Sequence, residues 1–77
     1  MNINHLDRIT LNQNVGHGKP TIRNKRYLVE SILEYLGGGD TVDELLETFP
    51  DLEREDILAC VQYGLASVRI KTIALAA

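Results

Sequence analysis

A mainly α domain with a short N-terminal β-hairpin or arm is the fold class this sequence predicts, on three observations. Apolar residues recur at helical spacing from Leu28 onward, turn-forming glycines and a proline crowd the residues before it, and 77 residues leave room for one domain only. Residues 1–77 are therefore read as a single domain. Its first part, 1–27, is a strand-and-loop arm, and 28–77 is a body of three or four helices.

Arg8-Ile9-Thr10-Leu11 alternates polar and apolar side chains, which predicts a short half-buried strand. Asn12 to Pro20 reads as a loop, with Gly16 and Gly18 supplying positive φ and Pro20 barring a helix before Thr21. Thr21-Ile22-Arg23 and Arg26-Tyr27 flank Asn24-Lys25, a tight hairpin turn in which Asn tolerates the left-handed region. Leu28, Val29, Ile32, Leu33 and Leu36 then make one apolar stripe, with Glu30 and Glu34 away from it. This first helix stops at Gly37-Gly38-Gly39.

Thr41-Val42-Asp43-Glu44 has the capping-box pattern, which starts a short second helix with Val42, Leu45, Leu46 and Phe49 inward and Pro50 at its end. The third helix is expected from Leu52 to about Val68, with Asp51 as its N-cap and Ile57, Val61, Leu65 and Val68 on one side. Ile73 and Leu75 in the tail are available to pack, either as continued helix or as a dimer contact. Three helices joined by tight turns give a helix-turn-helix-like layout. Its expected core is Leu28, Ile32, Leu36, Leu45, Leu46, Phe49, Ile57, Val61 and Leu65.

The net charge of −3 conceals an uneven distribution. Residues 1–26 carry five cations against Asp7, a net +4, while the remainder carries three cations against ten acids, a net −7. Such a split points to a basic arm that meets an anionic partner through Lys19, Arg23, Lys25 and Arg26. In an ordinary helix-turn-helix, the start of the third helix reads base edges. Here that turn holds Asp51, Glu53, Glu55 and Asp56 around Arg54, so phosphate would be repelled from it. Any DNA contact belongs to the basic arm, as phosphate contacts weakened by salt.

Catalysis lacks a constellation. Cys60 is the single cysteine, so an internal disulfide is excluded, and no basic neighbour in sequence activates it as a nucleophile. His5 and His17 are too separated for a metal site. Gly16-His17-Gly18-Lys19-Pro20-Thr21 fails as a phosphate loop, because Gln13 stands where the first glycine belongs and Pro20 leads into extended chain. The chain is expected to be a binding protein without cofactor, metal or enzymatic activity. It has no apolar run of membrane-spanning length and no secretion signal, which predicts a cytoplasmic protein. A domain this short buries only about 60% of its unfolded surface, so a second subunit is expected to supplement its core as a homodimer.

Several blocks carry a family resemblance. Arg8-Ile9-Thr10-Leu11-Asn12, Gly18-Lys19-Pro20-Thr21-Ile22-Arg23, Ile32-Leu33-Glu34-Tyr35-Leu36, Val42-Asp43-Glu44-Leu45-Leu46 and Phe49-Pro50-Asp51-Leu52, in this order over residues 7–66, resemble the small bacterial family catalogued as domain of unknown function 433. The resemblance implies a homeodomain-like helix-turn-helix domain that acts as the antitoxin of a PIN-like ribonuclease toxin and contacts operator DNA. The alternative it leaves is a protein-interaction module with no DNA binding. PIN-type nucleases hold metal with clustered carboxylates, so Arg23 and Arg26 could pair with those acids and exclude metal or RNA.

Overall fold

The computed structural model describes residues 4–76, with side chains through Ile70. A 3-10 turn at Leu6–Arg8 leads into strands β1 (Ile9–Asn12) and β2 (Val15–Ile22), followed by helices α1 (Val29–Gly37), α2 (Val42–Thr48) and α3 (Arg54–Ala76).

The first 22 residues form more strand than the sequence suggests. β1 and β2 pair antiparallel with Ile9 opposite Ile22, Thr10 opposite Thr21 and Leu11 opposite Pro20, and then the register jumps so that Asn12 faces Val15. Inside that jump Gly16, His17 and Gly18 hold φ of 68°, 55° and 84°. The positive φ expected of the two glycines is present, but it builds a bulge into a strand instead of a loop. Gly16 also meets a close approach, since a Cβ there would lie 2.7 Å from Thr21 Cγ2. Pro20 has no N–H to give the ladder and is tolerated beside the bulge.

The tight turn falls one residue earlier than Asn24-Lys25. Arg23 and Asn24 are both left-handed, at φ 46° and 55°, and Lys25 N–H closes on the Ile22 carbonyl at 2.7 Å. Two left-handed central residues are the signature of a type I′ turn. Pairing beyond the turn is limited to Ile22 N–H to the Tyr27 carbonyl, 3.2 Å, and a bridge between Thr21 and Leu28. It goes no further because Leu28 is already the N-cap of α1.

The helix ends follow the sequence closely. Gly39, at φ 108°, donates to the Leu36 carbonyl while Asp40 donates to that of Tyr35, the paired bonds of a Schellman motif. Thr41 N–H donates to Glu44 Oε1 at 2.9 Å and Glu44 N–H to Thr41 Oγ1 at 3.1 Å, which completes the capping box. At α3 the expected cap by Asp51 is replaced. Glu53 N–H donates to Asp56 Oδ2 at 2.8 Å, so a carboxylate three residues on reaches back over the helix start.

Of the expected three- to four-helix, helix-turn-helix-like domain with a short N-terminal β-hairpin or arm, the hairpin is present and two points are corrected. The described residues hold three α-helices, because nothing between Ile70 and Ala76 breaks the helix and α3 runs through to Ala76. The N-terminal segment is a layer of the fold, with Thr21 and Ile22 both 0% exposed. The architecture is a two-stranded antiparallel sheet followed by three helices. Ile73 and Leu75 lie outside the described side chains.

Ile22, Val29, Ile32, Leu45, Leu52, Ile57 and Cys60 make the core, and Leu36, Leu46 and Phe49 pack half-buried against it. Tyr27 meets Phe49 edge-on with ring centroids 5.3 Å apart. Leu28 is half-buried as well. Two expected core residues are outside: Val61 is 47% and Leu65 49% exposed. α3 turns a different face inward, carrying Asp56, Ile57, Ala59 and Cys60, so that the small Ala59 and Cys60 lie against the body beside Ile57.

Candidate interaction surface

The type I′ turn aims Arg23 back across the molecule instead of outward. Arg23 Nε and Nη2 reach the two oxygens of Asp56 at 2.9 and 2.6 Å, in a bidentate pair, and Nη2 also donates to the Asp51 carbonyl. Arg8 Nη1 reaches the same carboxylate at 3.0 Å and Glu53 Oε1 at 2.6 Å. Asp56 is completely buried beneath them. Burial pushes its carboxyl upward, but the bonds from Arg23, the Glu53 backbone and Arg8 together outweigh this and hold it below the usual carboxylate range. The cluster ties sheet, turn and α3 together.

The four cations expected to bind an anionic partner therefore divide. Arg23 is held by Asp56. Lys19 pairs with Glu30 at 2.8 Å on the surface, and Lys25 stands 3.9 Å from Asp51. Arg26 is exposed, and its side chain has no hydrogen bond or ion pair among the described residues. The β2 bulge brings it beside Lys19 and His17 in one depression of about 320 Å³, floored by Gly16 and Leu28. Lys19, 11 residues from its Glu30 partner, is held loosely, because two exposed charges gain little by pairing over being hydrated separately.

A second surface was not expected. Leu58, Val61, Leu65 and Val68 of α3 are 41%, 47%, 49% and 61% exposed. Their 3-4-3 spacing places them on one side of the helix as a continuous ridge. Next to the ridge runs a groove of about 840 Å³ between α1 and α3, walled by Val29 and Leu33 on one side and Gly64 and Val68 on the other. The Lys19–Glu30 pair stands at its rim. Helical spacing alone did not separate this ridge from the core-facing side: the stripe from Ile57 through Val61, Leu65 and Val68 starts on the buried face and continues along the exposed one.

Cys60 is buried, and its thiol is pushed up to about 12, chiefly by burial and further by Asp56. It is expected to react with a disulfide reagent at least a hundredfold more slowly in native buffer than in denaturant, with the rate rising along the unfolding transition. Reaction at the rate of a free thiol in native buffer would contradict its placement. Among the described residues no group of His, Cys, Asp and Glu is arranged to hold a metal, and no helix is long and apolar enough to cross a membrane.

Fold and surfaces together define a small hairpin-and-helix domain whose exposed features are a cationic depression and an apolar ridge with its groove. The chain belongs to the family described as Protein of unknown function (DUF433), which matches residues 9–64. No curated protein and no solved structure matches it.

Proposed function

We propose that this chain is a non-catalytic binding protein, antitoxin-like, that neutralises a PIN-like ribonuclease by presenting Arg26 to an acidic surface on it. The observation that carries the reading is the side chain of Arg26, unpaired beside Lys19 and His17 in one depression. A guanidinium held on a sheet-borne turn can meet a carboxylate pair bidentately, and carboxylates are what a metal-dependent nuclease offers. Arg23, which the sequence offered for the same role, is engaged with Asp56 and serves the fold.

Operator DNA is the weaker reading. Tight DNA binding neutralises roughly 6–10 phosphates. One chain offers Arg26 and a shared Lys19 on this face, beside an acidic body. Paired chains would double that number and still fall short. The test mixes the chain with a PIN-like ribonuclease encoded beside it and follows RNA cleavage. Wild type should suppress cleavage and Arg26→Glu should weaken suppression at least tenfold, while Leu11→Ser, on the exposed edge of β1, should not. Unaltered suppression by Arg26→Glu would overturn the role of Arg26, and a salt-sensitive gel shift on upstream DNA would restore the operator reading.

A further inference from the structure

We infer that the α3 ridge seats in the α1–α3 groove of a second copy of this chain, forming a two-fold homodimer on a face that adjoins the cationic depression at Lys19. Three observations carry this. First, ridge and groove lie side by side on one face, with Val61, Leu65 and Val68 belonging to both, and an isologous interface needs that arrangement: what one copy inserts, the other receives, twice over. Second, Leu58, Val61, Leu65 and Val68 repeat as the a and d positions of a heptad do, and such a seam is filled by another helix carrying the same seam. Third, no charged residue occurs from Ile57 to Val68 in a chain where a quarter of the residues are charged. Two copies of that stretch meet without like-charge repulsion, although each chain is acidic overall. A partner steered by charge would have nothing to read there.

The ridge alone supplies more than half of the area a small stable dimer needs. A small stable interface takes roughly 600 Å² from each partner. The exposed parts of the four ridge residues amount to roughly 350 Å², the size of the largest apolar patch on an ordinary monomer. The half-buried walls of the groove, Leu33, Tyr63 and Pro20, supply further apolar surface when a ridge lies between them. Ile70, 68% exposed, sits on the opposite side of the helix and takes no part. Dimerisation also answers the short core, since the apolar side of α3 left open in one chain becomes interior in two.

Sedimentation equilibrium of the full chain, from about 1 to 200 μM, tests the inference without any toxin or nucleic acid, so its outcome is separate from that of the Arg26 experiment. Wild type should approach twice the 8.6 kDa chain mass. Leu65→Glu should stay at the chain mass throughout, with its helical circular dichroism retained. Val68→Lys, at the most exposed ridge position, provides a second variant should Leu65→Glu fail to fold. Leu11→Glu, on the hairpin, should dimerise like wild type. A monomeric wild type at 200 μM, or ridge variants that dimerise as wild type does, would overturn the inference.

Discussion

Asp56→Ala is expected to lower the unfolding free energy by about 3 kcal/mol, the lower end of what breaking a buried ion pair costs. The lower end applies because the two arginines left behind, 27% and 34% exposed, can recover water, whereas the buried carboxylate had none. Lost with the charge is the bond from Glu53 N–H that starts α3. A 77-residue domain has roughly 4–11 kcal/mol in total, so the variant sits near its unfolding threshold. Urea melts of wild type and variant should differ in midpoint and share a slope. A loss under about 1 kcal/mol would mean that the cluster is dispensable.

The same residue sets the acid limb of stability. Its folded pKa lies below its ordinary value, so the unfolded chain binds the proton more readily. The stabilisation is fully present above the ordinary carboxylate value near 3.9 and is lost as pH falls toward the folded pKa. Asp51, lowered by the bond from the Tyr27 hydroxyl and lying at the surface, acts in the same direction. Asp56→Asn should therefore be less stable than wild type at neutral pH and flatter between pH 5 and pH 3. A wild-type stability that stays constant across that window would remove Asp56 from the account.

Local signals in the sequence were read well and long-range ones poorly. The Thr41–Glu44 capping box, the stop at Gly37-Gly38-Gly39 and the stripe of α1 are interactions within a few residues, and local order and spacing specify them. The sheet was misplaced because its register depends on a partner strand. Gly16-His17-Gly18 looks the same as a loop or as a bulge until Asn12 is seen opposite Val15. The cationic site was half legible for a related reason. Charge counting brought Lys19, Arg23, Lys25 and Arg26 together, but it could not see that Asp56, 33 residues on, takes Arg23 inward. Arg8 was passed over because its strand reading used only its polarity, and its reach to Glu53 and Asp56 spans 45 and 48 residues.

The misread side of α3 has a more specific cause. Helical spacing fits two adjacent faces, one running through Ile57, Cys60 and Gly64 and one through Leu58, Val61, Leu65 and Val68. The stripe expected from the sequence joins Ile57 of the first to Val61, Leu65 and Val68 of the second, following side-chain size. The fold selects the first, because Ala59 and Cys60, both 0% exposed, let the body approach the helix axis. Large residues therefore stand on the outer face of α3, where no other described residue covers them.

Leu45→Ala should cost about 2–5 kcal/mol and Leu46→Ala distinctly less, which discriminates between adjacent residues that hydrophobicity treats alike. Leu45 is 2% exposed inside the core cluster, whereas Leu46 packs half-buried at its edge. A deletion costs transfer free energy in proportion to the area it had removed from water, plus a cavity term where the surroundings cannot close in. At Leu45 both contributions are present. At Leu46 solvent already reaches the side chain, so little cavity forms. α2 has only seven residues, with Leu45 as its one fully buried side chain, and its capping box contributes on the order of 1 kcal/mol. Loss of Leu45 should therefore loosen α2 before the rest, and amide exchange in Val42–Thr48 should accelerate ahead of α1 and of the buried part of α3. A larger cost at Leu46 than at Leu45 would mean that α2 is rotated from the orientation described.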